Sequence, residues 1–375
     1  MLQVLIVSRR NTVVRANAPD YPIRIKSIDG REIDIVFHII NQTADQMIQA
    51  VTGNKLREIQ KVLYETAKEA RENGAIVVGF GGFTSIAANN CKNMDEISGL
   101  SYTTGNSLTT GLGYKALMNK ISEMNIDLSK AKAVVIGAAG NIGQVYSSLL
   151  TEDVTSLILL GSQRRGSEKR LQRAYKRIYK DIVQWMMLRE PTDFTGVAKE
   201  LYKIKEVKEI IDDHDESETI ETLSKKFISV LETSCDPCIT ISTNRDVIKD
   251  ADILICATNS TEGFIGNDLV KENTVICDLG VPRTIKDEIR ERTDVEYLQG
   301  GLAKLPFGQK LDSNMMNVPD GFAYGCVTET IVLGFLNVRD HYSYGNIGRN
   351  QVKEITELAE SLGFVVGDRV RETIL

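Results

Sequence analysis

The stretch Ala131–Arg165, AKAVVIGAAGNIGQVYSSLLTEDVTSLILLGSQRR, constrains this chain more than any other. A short apolar run, Ala133–Ile136, ends in Gly137-Ala138-Ala139-Gly140-Asn141-Ile142-Gly143. A helical stretch follows, then a second apolar run, Leu157–Leu160. Strand, tight glycine turn, helix and strand in that order open a dinucleotide-binding βαβ unit. Gly137 allows the turn off the strand, Gly140 lets backbone approach a pyrophosphate, and Gly143 lets helix and strand pack closely. Ala138, Asn141 and Ile142 complete a turn whose free N–H groups face the phosphates at the helix start. The spacing is GxxGxxG, not the common GxGxxG.

The second strand argues for the cofactor. An NAD site usually places Asp or Glu about 20 residues past the glycines to hold the ribose 2′-hydroxyl. Here the strand ends Gly161-Ser162-Gln163-Arg164-Arg165, with no acid at its tip. Ser162 can hydrogen-bond a 2′-phosphate, and Arg164 or Arg165 can pair with it bidentately. The expected cofactor is therefore NADPH.

Composition sets outer limits. At 375 residues the chain should hold about two domains. Its hydrophobic fraction of 42% is ample for full cores, and its net charge of −6 argues against a general nucleic-acid binder. No apolar run approaches the roughly 18 residues of a membrane span. The opening MLQVLIVSRR places its basic pair after the apolar residues, unlike a secretory signal. Six scattered cysteines fit a reducing, cytoplasmic setting, and three histidines make a His-rich metal site unexpected.

Taken in order, Ile23–Ile40 alternates apolar and polar residues around Asp29-Gly30, which predicts a hairpin with His38 packed in its second strand. Leu56, Ile59, Val62, Leu63 and Ala67 follow at helical spacing, with a stop at Asn73-Gly74. A strand over Ala75–Val78 runs into Gly79-Phe80-Gly81-Gly82-Phe83-Thr84-Ser85, a loop that lacks the ending of a P-loop. A second polar turn, Thr103-Thr104-Gly105-Asn106, precedes another helical run. Beyond the glycine turn, Arg164–Lys180 carries eight bases and one acid, and Glu206–Glu221 carries eight acids and one Lys. Both read as solvated helices, inserted at about 166–235 before α/β alternation resumes. Cys235-Asp236-Pro237-Cys238 has no second CxxC, so it makes no zinc ribbon.

Val318-Pro319-Asp320-Gly321 makes a turn, and an amphipathic helix follows with Cys326 at its start. A thiol there feels the partial positive charge of free N–H groups, which favours the thiolate. The residue type alone also fits a small buried apolar side chain.

GFGGFTSI, TTGNSLTTG, VVIGAAGNIG, the Cys326 helix and HYSYGNIGRNQV occur in the order and rough spacing of cyanobacterial long-chain acyl-[acyl-carrier-protein] reductases. The chain resembles that family over about residues 23–160 and 239–365. The resemblance implies NADPH-dependent reduction of a fatty acyl thioester to an aldehyde through acyl-Cys326, with His341 as a second catalytic candidate. It implies that Gly81, Gly82, Phe83, Thr84 and Ser85 of one loop and Thr103, Thr104, Gly105 and Asn106 of the other line the cleft. It also implies acyl-carrier protein or acyl-CoA as substrate donor and leaves room for an aldehyde-consuming partner enzyme. The front of this chain is shorter than in those proteins, and the charged 166–235 segment has no counterpart there.

The expected architecture is a doubly wound Rossmann NADP-binding domain at 129–304 beside an α/β substrate domain of 1–128 completed by 305–375. Two other functions fit the same residues. One is a dehydrogenase of shikimate or glutamyl-tRNA reductase type, and the other is a non-catalytic NADP-binding sensor.

Overall fold

The computed structural model describes residues 2–8, 22–40, 46–47, 49–50, 53, 56–215, 217–233, 238–258, 260, 262–280, 282–311 and 318–367. The chain divides into two compact units, Met1–Ala116 with Gln299–Leu375, and Leu117–Leu298. Sequence reasoning set these divisions at 128/129 and 304/305.

In chain order come β1 (Leu2–Ser8), β2 (Ile23–Lys26), β3 (Glu32–Ile40), α1 (Leu56–Glu72), β4 (Ala75–Phe80), α2 (Phe83–Ala87), β5 (Ser101–Thr103) and α3 (Asn106–Glu123). Next are β6 (Lys132–Ile136), α4 (Asn141–Leu150), β7 (Ser156–Leu160), α5 (Ser167–Met187), α6 (Gly196–Leu201), α7 (Lys205–Asp212) and α8 (Ile220–Leu231). Then follow β8 (Ile239–Ser242), β9 (Ile253–Cys256), β10 (Val275–Asp278), α9 (Asp287–Arg290) and β11 (Glu296–Gln299). The last elements are β12 (Leu302–Lys304), β13 (Phe322–Tyr324), α10 (Gly325–Leu336), α11 (Arg349–Ser361) and β14 (Val365–Val366).

The first unit is built on a mixed sheet of order β2-β3-β1-β4-β5. β2 and β3 form the expected hairpin, with Ile25 opposite Ile33 and Gly30 at φ +86° in its turn. Alternation turns Ile25, Ile33, Ile35 and Phe37 to one face, where they bury against α10 and α11. His38 is buried in β3, and burial pushes its imidazole down to about 4. α1 buries Ile59, Leu63, Ala67 and Ala70 at three- and four-residue steps, while Val62 points outward at 41% exposure. β4 is buried along its whole length, as a strand covered by helices on both faces must be.

The second unit carries a six-stranded sheet of order β11-β10-β9-β6-β7-β8. The pairs β7/β8, β6/β7, β6/β9 and β9/β10 are parallel. Numbered from β6, this is strand order 3-2-1-4-5-6, the doubly wound Rossmann arrangement. The order reverses between β6 and β9, so a crevice opens at their carboxyl ends.

Four helices, α5–α8, stand between β7 and β8. α5 buries Leu171, Ala174, Ile178 and Ile182 and leaves Lys169, Arg173 and Lys176 exposed. Its Tyr179 packs on Phe227 of α8 with ring centroids 6.1 Å apart. The acidic stretch is not one helix. It breaks after Asp212, where Asp215 accepts from the Ser217 N–H at 2.8 Å and Thr219 caps α8. Short polar side chains bond their own backbone there in place of the helical ladder. Basic and acidic stretches do meet, since Lys180 pairs with Glu221 at 2.8 Å. Cys235 lies outside the described residues. No described helix is long and apolar enough to cross a membrane.

Candidate active site

In the second unit the site begins at the turn after β6. Gly137 takes φ +79°, and a β-carbon there would lie 2.3 Å from the Ala257 carbonyl oxygen at the end of β9. Any other residue would collide with the neighbouring strand end. A β-carbon on Gly143 would lie 2.3 Å from the Gly137 oxygen, so α4 can press onto the turn only with glycine there. Gly140 precedes α4 in an extended conformation with no side-chain cap. The first N–H groups of that helix, from Asn141 and Ile142 onward, lie at the end where a phosphate is favoured. Ala138 is fully buried beneath the turn.

A cleft of about 620 Å³ runs from Gly137 and Gly140 past the end of β7. Ser162, Arg164, Ser167, Arg170, Arg245 and Phe264 line its far part. Arg165 does not; it is exposed outside the cleft. Sequence reasoning missed Arg170 and Arg245. Arg170 stands one turn into α5, and Arg245 follows β8, the strand beside β7. The Arg245 guanidinium lies 4.4 Å from the Phe264 ring centre, a stacking distance that fixes a planar cation. The carboxylate in the lining, Glu262, belongs to the loop after β9 and not to the β7 tip. Three guanidinium groups and two hydroxyls at the β7 side fit a phosphorylated ribose, and a 2′-hydroxyl alone would need the acid that is missing.

Behind the crevice, Asp278 ends β10, fully enclosed. Its Oδ1 accepts the Gly280 N–H at 2.9 Å, and its Oδ2 accepts those of Thr284 and Ile285 at 2.8 and 3.2 Å. Burial outweighs these bonds and pushes the carboxyl up to about 6. The folded state thus holds this proton more tightly than the unfolded chain, where the group titrates near its ordinary value of about 3.9. Its contribution to stability is full below about pH 4 and is lost as pH rises through about 6. The loss is about 3 kcal/mol for two units. Asp278→Asn cannot ionise, so urea melts should show wild type losing that amount relative to the variant between pH 4 and 7.5. A constant difference across that range would refute the assignment.

In the first unit, three segments converge on Cys326, the second residue of α10. The backbone N–H groups of Val327, of Cys326 itself and of Gly82 face its sulfur and favour its ionised form. A β-carbon on Gly81 would lie 3.0 Å from that sulfur. Gly105, at φ +70°, faces the Cys326 backbone so closely that a β-carbon would lie 2.1 Å from its Cα. The GGFTS and TTGN loops therefore both border the cysteine. Phe83, Thr84 and Ser85 are buried in α2, with the hydroxyls of Thr84 and Ser85 donating to the Gly81 and Gly82 carbonyls at 2.8 and 2.7 Å. Thr104 donates to the Ser343 carbonyl at 2.9 Å, and Asn106 starts α3.

The thiolate expectation fails on energetics. Three backbone N–H groups do favour it, but desolvation in this crowded seat, together with nearby Glu329, pushes the thiol up to about 11. Cys326 rests as a partly accessible thiol. His341 is not arranged as its base. Its Nδ1 accepts the Tyr102 N–H at 3.1 Å, and its ring is stacked between Tyr102 and Tyr344 at 5.0 and 4.9 Å. Burial lowers its affinity for a proton, so it sits there as a neutral packed ring. None of its described contacts is with Cys326. Sequence reasoning also missed Glu329, fully buried one turn beyond Cys326. The available signal was a lone acid inside the apolar run Val327–Leu336.

A model of the shikimate / quinate 5-dehydrogenase family matches residues 195–299. With that sheet, that cleft and that match, the second unit is a Rossmann domain for NADP(H). The chain is an NADP-binding, dehydrogenase-like protein. Aminotransferase PigE of Serratia sp. (strain ATCC 39006) is 28% identical over 346 residues, covering 92% of this chain and 33% of PigE. The chain thus spans about a third of that relative's length. These matches overturn the resemblance to acyl-[acyl-carrier-protein] reductases: they point to a shikimate dehydrogenase-like family instead. The motifs behind that resemblance are glycine turns and helix seats, and close backbone packing demands those in many α/β proteins.

Proposed function

We propose that the chain is an NADP(H)-dependent dehydrogenase of the shikimate or glutamyl-tRNA reductase type, moving hydride to or from a carbonyl-level carbon. The arginine-lined cleft beside the Gly137 turn carries this reading. When bound, the dinucleotide supplies or accepts the hydride. The chain's own residues do the rest of the binding. Gly137 and Gly140 admit the pyrophosphate to the backbone, the start of α4 offers N–H groups, and Ser162, Arg164 and Arg170 hold the 2′-phosphate. Removing a charge-assisted bond costs about 1.5–3 kcal/mol. Arg164→Ala and Arg170→Ala should therefore each weaken NADPH by roughly 10- to 100-fold and NADH far less. Fluorescence titration reads both. Equal affinity of the unaltered protein for NADPH and NADH would exclude this reading, and cofactor binding without turnover on any carbonyl substrate would favour the sensor.

A second reading rests on the seat of Cys326 at the start of α10, where Gly81 and Gly105 let two loops close on it. In it, the carbonyl-level substrate is an acyl thioester. The Cys326 sulfur bonds to the acyl carbon, the carrier's carbon–sulfur bond breaks, and the thiol proton leaves with the carrier thiol. Reduction by hydride would then break the bond to Cys326, with a proton from solvent restoring the thiol as aldehyde departs. The N–H groups of Gly82 and Val327 are the donors nearest a developing oxyanion. Incubation with an acyl-CoA and no NADPH should add one acyl mass, mapped to Cys326. Absence of the adduct alongside normal carbonyl reduction would remove this reading and leave the first.

A further inference from the structure

Among the described residues Glu329 makes no ion pair, yet both of its carboxyl oxygens are used. It sits on α10 three residues after Cys326, hence on the same face one turn away. Its Oε1 accepts a short hydrogen bond from the Thr103 hydroxyl, and its Oε2 accepts the Leu108 N–H at 2.8 Å. Burial pushes its carboxyl up from the ordinary value, and the Ser343 and Thr103 hydroxyls with the Leu108 and Gly105 N–H groups oppose that rise. They are not scattered. Thr103, Gly105 and Leu108 belong to the turn entering α3, and that turn presses Gly105 onto the Cys326 backbone. Thr103 is doubly engaged, since its hydroxyl also accepts the Gly105 N–H at 3.1 Å. Ser343 is tied in from the other side, with its hydroxyl 2.7 Å from that of Ser107.

We propose that Glu329 is the positioning residue of the Cys326 site: it clamps the Thr103–Leu108 turn against the cysteine and sets a buried negative charge one helical turn from the sulfur. A hydrophobic residue in that place would leave the Leu108 N–H and Thr103 hydroxyl buried without partners, which costs about 1–3 kcal/mol for each group. An acid meets both needs and adds a field. The titratable groups facing it are Cys326 on the same helix, Cys91 after α2 and Tyr342 before α11, and its charge opposes the ionisation of each. That charge adds to desolvation, the larger cause, in holding the thiol protonated and slow to alkylate or oxidise. This deepens the covalent reading and takes its catalytic meaning from it, but its test needs no substrate.

The test is the pH profile of Cys326 alkylation by iodoacetamide in the full chain, read by peptide mass. Glu329→Gln removes the charge and keeps the shape, so the midpoint should fall by about one pH unit and the rate at pH 8 should rise about tenfold. Glu329→Asp keeps the charge, and its midpoint should stay within a few tenths of native. A folded E329Q protein with the native midpoint would overturn the proposal, because only a side chain that sets no charge near the sulfur would leave the thiol unmoved. Should E329Q not fold, Thr103→Val carries the test. It frees the turn without touching the charge, so alkylation should quicken at least threefold at an unchanged midpoint, and a native rate would overturn the proposal. Turnover by Cys326→Ser is scored separately. If that variant stayed fully active while E329Q shifted the midpoint, the clamp would stand and the covalent reading would fall.

Discussion

On the covalent reading, Cys326→Ser should lose aldehyde formation from an acyl thioester by at least about a thousandfold, and on either reading it should bind NADPH within twofold of wild type. A missing nucleophile is not offset by the groups that served it, because such residues act as a unit. The serine fits the same seat, so the N–H groups of Gly82 and Val327 would still find an oxygen to bond. The hydroxyl is a far weaker nucleophile, and no described contact supplies it with a base: His341 spends its Nδ1 on the Tyr102 amide. Paired stopped-flow and titration data separate the two effects. A variant with normal turnover would place the chemistry elsewhere in the first unit.

Gly105→Ala should act on the fold instead. The position demands φ +70°, and the added methyl would meet the Cys326 Cα at 2.1 Å and its Cβ at 2.5 Å. Neither neighbour is a movable side-chain end. Both belong to the first turn of a buried helix, so relief requires α10 or the 103–108 turn to shift. The left-handed conformation alone costs an alanine about 1–2 kcal/mol. Gly30 offers a control: it has φ +86° with nothing within 4 Å of an added methyl. Gly30→Ala should lower Tm by a few degrees and Gly105→Ala by about 10 °C or more. Equal shifts would mean that the contact is not tight.

Much of the second unit is legible in the sequence because its constraints are local. A turn that requires positive φ and close backbone approach admits only glycine, so Gly137 and Gly143 announce themselves. The absence of an acid after Leu160 is equally local. Arg245 is not, because only the strand order that sets β8 beside β7 brings it into the cleft. Read in isolation, the GFGGFTS loop suggests a substrate wall, but Gly79 and Gly81 also serve a different need. A β-carbon on Gly79 would lie 2.0 Å from the Thr330 hydroxyl, so both glycines let α10 approach β4. Sequence position correctly put Cys326 at a helix start. Its ionisation could not be read there, because it depends on desolvation by segments more than 200 residues away and on nearby Glu329. The borrowed family failed for a related reason: packing glycines recur wherever helices crowd a strand, whatever the chemistry.

The first unit is assembled from both ends of the chain around a contiguous second unit. That has a consequence for the order of events on the ribosome. Residues 2–116 emerge first and can form their hairpin, but α10, which covers one face of their sheet, arrives some 200 residues later. At 5–20 residues per second the wait is roughly 10–40 s. The second unit needs no such delay, since all its strands lie within one stretch. During that interval Ile25, Ile35 and Phe37 have no cover. The nascent chain is then most exposed to aggregation and to chaperones, and Glu329 has not yet arrived to clamp its turn.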